Sequence, residues 1–411
     1  MKFPKFSVAI ACILLGTSGF TLAQDSDDGF TLFSDSLLYA QLRPRFEYAN
    51  VDGGADTAKA FTVRTVIGAE FNQLVGVKGL DGHIEATNVS HFGILDDYAP
   101  QQPGYDVIAD PRQTRMSQAH ITYAMGDTAF IAGRKMHTFD NQRFIGHVGW
   151  RQMPQTYDLI AVNNQSIKGL SLTGAYVKRV NRILADAKLD TNSVLLHANY
   201  TVAPTLKVSA YSYMLASIHD TFGIRATGNS KFSGGKFSYE AEYAFQNKPT
   251  FEEESMGNVQ PDQEASYYKL GGRFNYGTFV LGLDYEVLGK KEGSEGGAFN
   301  TPLATLHGMN GWADKFLSTP ADGLVDIAVT AGYISKPFGR VVGIYRNFDS
   351  DRGSRNYGSE FDIIYASNIS KYLGMIAKAA FFIEGDEATG KEPKFADTTK
   401  YWLMFDYKFN L

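Results

Sequence analysis

Apolar and polar residues alternate with a period of two along most of the chain. From Leu38 to Ala49 the even positions are Leu38, Ala40, Leu42, Pro44, Phe46 and Tyr48, while Gln41, Arg43, Arg45 and Glu47 hold odd positions. In an extended strand these two sets point to opposite faces, one apolar and one charged. Phe61 to Phe71 repeats the pattern, with Thr62, Arg64, Gly68 and Glu70 on the polar face. The segments 237–245, 279–287 and 401–409 alternate in the same way. The pattern predicts 18 strands: 38–49, 60–71, 80–89, 115–124, 128–136, 157–164, 169–179, 193–202, 205–214, 221–228, 236–246, 265–276, 278–288, 323–335, 339–347, 356–366, 372–383 and 399–409.

Strand length and connection length choose between two all-β architectures. Many segments run 10–12 residues. Strands of soluble sandwiches are nearer about 5–6 residues, whereas crossing a bilayer on a tilt takes about 9–11. Connections after even-numbered strands are short, such as 125–127, 203–204, 277 and 336–338. All the long ones (90–114, 137–156, 247–264, 289–322 and 384–398) follow odd-numbered strands. Outer-membrane barrels have short periplasmic turns and long outer loops, so this parity fits them. The expected fold is a transmembrane antiparallel β-barrel of 18 strands, with 16 as the alternative, its apolar face toward lipid and its charged face toward a wet lumen. Pro44 lacks an amide donor, so a bulge or a skipped hydrogen bond is expected there.

Composition narrows the class further. The chain has 411 residues, 44% hydrophobic and 20% charged, with a single cysteine. That apolar content excludes wholesale disorder, and one thiol excludes an intrachain disulfide scaffold. Past residue 23 there is no apolar run of 18 residues, which excludes a helical membrane bundle. A net charge of −5 argues against nucleic acid as partner. Residues 1–23 read as a secretory signal: Lys2 and Lys5 give the charged start, Val8–Leu15 the apolar stretch, and Thr21-Leu22-Ala23 the small-residue cleavage site. Cleavage after Ala23 removes the only cysteine, Cys12, and leaves 37 basic against 44 acidic residues, a net charge of −7. Residues 24–37 are expected to form a short periplasmic segment and 38–411 the barrel, placed in the outer membrane of a Gram-negative-type bacterium.

Four stretches resemble the alginate-export family of outer-membrane barrels, which includes porin-like members. They are LRPRFEYANVDG leading into AFTVRTVIGAEF, then GRKMHTFDNQRFIGHVGWRQMPQTYDLIAV at 133–162, FNTPLATLHGMNGWADKFLSTPADGLVD at 299–326, and YGSEFD at 357–362. The resemblance implies an 18-stranded barrel and a passive channel, without establishing alginate as cargo. The terminal Phe409-Asn410-Leu411 departs from the aromatic end usual in such barrels.

In a channel, the chemistry is the sign and spacing of lumen charge. Strand parity puts Arg43, Arg45, Glu47, Arg64, Glu70, His83, Glu85, Lys269, Arg273, Glu286 and Asp362 on the lumen face, and Arg134 is expected to join them. Arginines there would guide carboxylates or phosphates through the guanidinium fork. Pairing with Glu47, Glu70 and Glu85 across neighbouring strands is the competing structural role. Neutralising Arg43, Arg45 and Arg64 together is expected to shift selectivity toward cations. The 137–156 connection, with Asp140, Arg143, Trp150, Arg151 and Gln152 beside Gly146 and Gly149, is the candidate gating loop. The 289–322 connection, with Trp312, Asp314 and Lys315, is the second.

Enzyme chemistry finds little support. The eight histidines show no His-Glu-x-x-His spacing, and neither a Gly-x-Ser-x-Gly elbow nor a phosphate-binding Gly-Lys loop occurs. Asp349–Gly353 with Glu360 has the wrong glycine position for a calcium loop. No cofactor or metal is expected. The leading function is a passive channel for hydrophilic solutes, anionic ones or a linear saccharide such as alginate among them. The alternatives are a general diffusion porin, a barrel-borne hydrolase and a plugged structural barrel. The expected partners are outer-membrane lipid and the solute; any periplasmic export partner is unidentified.

Overall fold

The computed structural model describes residues 33–251, 264–291, 297–385 and 395–410. The signal segment 1–23 and residues 24–32 lie outside them. The period-two pattern becomes β1 (Asp35–Val51), β2 (Ala58–Asn72), β3 (Leu80–Ser90), β4 (Asp96–Asp97), β5 (Gln113–Met125), β6 (Thr128–Lys135), β7 (Thr156–Asn164), β8 (Leu170–Asn181), β9 (Lys188–Ala203), β10 (Leu206–Leu215), β11 (His219–Phe232), β12 (Gly235–Asn247), β13 (Ala265–Tyr276), β14 (Phe279–Leu288), β15 (Leu324–Ser335), β16 (Gly339–Asp349), β17 (Asn356–Asn368), β18 (Leu373–Glu384) and β19 (Thr398–Asn410). β4 is a two-residue strand in a loop, paired to Lys59 and Ala60 of β2. The other 18 form the wall, each antiparallel to its sequence neighbours. β1 pairs with β2 on one side and β19 on the other, from Tyr39↔Asn410 to Val51↔Thr398, so the sheet closes. Closure removes the exposed edge that an open sheet would present. The wall begins at Asp35, three residues before the expected start at 38.

Register at Pro44 is kept without a bulge. β1 pairs with β2 continuously through Pro44↔Val63, while on the β19 side the ladder skips from Leu42↔Tyr407 to Arg45↔Met404. The two sides of that gap are in the same register, so the missing amide costs ladder bonds and nothing else. Connections obey the expected parity. Gly126-Asp127 and Gly277-Thr278 are two-residue turns, the glycines at φ +58° and +56°, whereas the opposite rim carries connections 91–112, 136–155 and 289–323.

The outward face is apolar and open: Ile160, Leu270, Leu281 and Ile383 are each about 60% exposed. At the short-turn rim, outward aromatic rings pair across strands, Phe232 with Phe274 at 5.1 Å and Phe338 with Tyr365 at 5.5 Å between centroids. Such girdles suit the interface between acyl chains and water. The buried core is instead inside the barrel, where the long connections fold in.

Candidate functional site

The 136–155 connection crosses the lumen and is fastened at both sides. Near its start, Asp140 accepts from Ser209 at 3.0 Å and pairs with His197 at 2.8 Å, both on the β9–β10 wall. Phe139 stacks on His197 at 4.5 Å, and Phe144 packs against Tyr211 and Tyr267. Arg143 then reaches Glu286 of β14 at 3.1 Å and Asn310 of the second loop at 3.0 Å. Farther along, the loop meets β1. Arg43 donates to Gln152 Oε1 at 2.9 Å and to the Gly149 carbonyl at 3.0 Å; Arg45 donates to the Trp150 carbonyl at 2.6 Å. Arg45 also pairs with Asp110 of the 91–112 connection, and Arg151 with Glu47 at 3.0 Å. Buried charges are stable only when paired and hydrogen-bonded, and here, apart from Glu47 beside Arg45, the partners are supplied by residues distant in sequence.

Residues 297–323 of the second long connection also fold inward. Glu360 of β17 accepts from the Trp312 and Ala313 amides. The chain's three tryptophans, Trp150, Trp312 and Trp402, surround Lys378 of β18, whose Nζ lies 4.0, 3.7 and 5.0 Å from their rings. The Lys378 amine donates to His307 Nε2 at 2.9 Å, and His307 Nδ1 donates to Asp314 at 2.7 Å. This places the imidazole proton on Nδ1 and leaves the ring neutral. Burial, reinforced by the nearby Lys378, pushes the His307 pKa down to about 3. Burial alone would raise Asp314; the surrounding His307, Lys400 and Arg151 outweigh it and hold the carboxyl well below its usual range. Lys315 is lowered to about 8 by burial and by Lys400.

Space remains along β12–β16, where a polar cavity of roughly 530 Å³ lies between the wall and the second loop. Lys236, Lys269, Arg273 and Arg346 line it together with Glu240, Asp284, Glu286 and Asp326. Several of these are spoken for: Lys269 pairs with Glu240 at 3.2 Å and Arg346 with Asp326 at 2.5 Å. Lys236, Arg273 and Asp284 form no ion pair among the described residues, so their charge is available to a solute.

The structure sorts the expected site residues. Arg43, Arg45, Glu47, Arg64, Glu70, His83, Glu85, Lys269, Arg273, Glu286 and Asp362 share the lumen face, by register with one another. His83 and Glu85 are bonded to Tyr39 Oη at 2.7 and 2.9 Å, over Gly68, where an added Cβ would come within 2.2 Å of the tyrosine ring. Arg64 is buried and its Nε has no hydrogen-bond partner. Arg134 is a correction. It lies opposite Ala119 and Asp158 on the outer face, in line with Ala132 and Phe130, because Gly133 and Ile131 take the inward positions. Bidentate pairing with Asp158, at 2.7 and 2.9 Å, lets the guanidinium sit outside the lumen. The sequence reading did not single out Lys236, Asp110, His307, Lys378 or Lys400. Strand parity alone would have found Lys236, Lys378 and Lys400; the other two lie in loops with no periodic signal.

Known proteins were compared with the chain. No protein-family model and no curated protein sequence matches it. Solved structures do. OccAB2 of Acinetobacter baumannii gives a TM-score of 0.72 at 15% identity, covering 92% of this chain and 99% of that one. Pseudomonas aeruginosa OpdK, in a structure with vanillate, gives 0.72 at 10% identity over 93% and 100% of the two chains. OpdO of the same species gives 0.69 at 14% identity over 92% and 98%. The fold is that of the Occ/Opd outer-membrane porins. These neighbours are channels, not enzymes, and Gram-negative outer-membrane proteins. The likeness to the alginate-export family finds no support in them: both groups imply an 18-stranded barrel, and short barrel motifs do not discriminate between them.

Proposed function

We propose that the chain is an outer-membrane channel for small hydrophilic solutes carrying a carboxylate, with the cavity along β12–β16 as its selective constriction. The carrying observation is the unpaired cations Lys236 and Arg273 in a polar space left beside two clamped loops. A guanidinium in low dielectric binds a carboxylate through two parallel hydrogen bonds, and a nearby ammonium adds point charge. Asp284, also unpaired, favours solutes that bear a donor group on their other end. A loop fastened on opposite walls narrows the lumen and so favours small solutes over a polymer. The general-porin reading lacks a comparable observation, and saccharide export would require the clamped loop to leave.

The test is planar-bilayer recording of the full-length protein with small carboxylates, vanillate among them, against uncharged sugars of similar size. Concentration-dependent block or a saturating current by carboxylates, reduced in Arg273→Ala, is the expected result. Equal permeation of neutral and anionic solutes would return the general porin, and an absence of conductance would remove the channel.

A further inference from the structure

Across β6–β9 the outer face of the barrel breaks its apolar rule in one row. Arg134, Asp158, Arg179 and Asp190 are successive cross-strand partners on that face. Arg134 grips Asp158, and Arg179 pairs with Asp190. Lys178 sits in the bulge between Val177 and Arg179, and its Nζ donates to Asn192 Oδ1 at 3.0 Å, an atom that also accepts from Tyr176. Lys188 stands on the same face, two residues before Asp190. Four cations therefore face two carboxylates, and neither lysine forms an ion pair among the described residues.

The height of this row matters. Below it on β9 the outward positions run Val194, Leu196, Ala198, Tyr200 and Val202. At about 3.3 Å per residue and a tilt of about 40°, that stretch spans about 20 Å, close to the apolar band of a barrel. The cations thus stand at the band's edge on the long-loop side, where lipid headgroups lie.

A second observation points to the same place. Directly below the row, small residues leave a hollow of about 720 Å³ in the lipid-facing surface, floored by Gly174, Ala198, Ala210 and Ser212 and walled by Leu196 and Ile224. Its lining is overwhelmingly apolar, and its volume is within the range of ligand pockets. On β8 the hollow ends at Gly174; the next outward residue is Tyr176, followed by Lys178 and Arg179. An apolar trough that terminates in excess positive charge matches an amphiphile with an acidic head.

We infer that this face is a seat for a phosphorylated lipid of the leaflet on the long-loop side, with an acyl chain in the trough and a phosphate against Lys178, Lys188 and the free edge of Arg179. Phosphate accepts charge-assisted hydrogen bonds from all three groups. The cross-strand pairs keep the arginines extended along the wall, leaving the lysines to supply the surplus charge.

The test uses the full-length protein in mild detergent, titrated with lipid A and with its phosphate-free form bearing the same acyl chains, with bound lipid counted by native mass spectrometry. Two variants separate head from tail: Lys178→Ala/Lys188→Ala keeps both arginine–aspartate pairs, and Ala210→Phe fills the trough. Each points away from the lumen, so unchanged conductance confirms that the variants fold. Binding of phosphorylated lipid is expected to weaken about tenfold or more in Lys178→Ala/Lys188→Ala, and in Ala210→Phe through loss of the acyl-chain site. Loss of the phosphates should weaken wild-type binding to a similar degree. Equal affinity for the two lipid forms, or undiminished binding by either variant, would overturn the proposal. A lipid-independent dimer dissociated by Ala210→Phe would also overturn it, giving the trough to a second copy.

Discussion

Two sides of one lumen use the same residue types for different ends. Along β1, β2, β18 and β19 the inward cations are buried: Arg45 is 1% exposed, Arg43 6% and Lys378 7%. Their donors are largely consumed by loop carbonyls, loop carboxylates and tryptophan rings. Along β12 and β13, Lys236 and Arg273 are exposed to the cavity and unpaired. The difference teaches that a lumen position does not make a cation a selectivity element. What decides is whether an infolded loop covers it. Arg43 and Arg45 hold the loop, so under the proposed function the expected role in ion preference passes from them to the cavity cations.

Breaking the clamped side should give the largest effect. Glu47→Gln with Asp110→Asn leaves Arg45 buried without a carboxylate and Arg151 with Asp314 alone, and breaking a buried pair typically costs about 3–5 kcal/mol. The 136–155 loop should then detach, seen as higher, noisier conductance and as protease cleavage within the loop. A quiet channel of unchanged conductance would mean that the loop is held elsewhere. On the open side, Lys236→Ala with Arg273→Ala should leave stability near wild type but move the reversal potential in a salt gradient toward cation preference, by several-fold in permeability ratio. If neutralising Arg43 instead produced the larger shift in reversal potential, the contrast between the two sides would fail.

Acid should loosen the clamp more gently. A free histidine takes a proton near 6.5, whereas docked His307 does so only near about 3. Between those values the undocked state binds more protons, so docking weakens as pH falls through that window. Asp314, held low by its partners, contributes docking stability at neutral pH and loses it only in stronger acid. Because all three tryptophans flank Lys378, their emission reports the docked state, and a red shift on going from pH 7 to pH 4 is expected. His307→Gln should flatten that response over pH 4–7. The smallest effect belongs to Arg134→Ala. Its pair with Asp158 is part-exposed, worth about 0–1 kcal/mol, and it faces away from the pore. Conductance and reversal potential should be unchanged; a selectivity shift would put Arg134 back in the lumen.

Much of this was legible in the residues. Strand parity assigned Arg43, Lys269 and Glu286 to the lumen correctly, since the side-chain period of a strand is a local property. The same rule assigns Arg134 outward. The expectation that Arg134 joins the lumen set departs from that rule; a bidentate partner one strand away lets its guanidinium stay outside. Asp110, His307 and the tryptophan cage were not legible, because nothing periodic marks a loop residue that meets the wall more than 60 positions distant, as Asp110 meets Arg45.

The sequence by itself determined the strands, their alternation of lipid and lumen faces, and the rim on which long connections gather, because each follows from local chain geometry. Only the tertiary structure decided which charges are spent and which are free. Closing the barrel brought Glu47, Trp402 and Lys378 side by side across the seam, and the infolded loops then selected their partners through contacts that depend on burial and distance rather than on spacing along the chain.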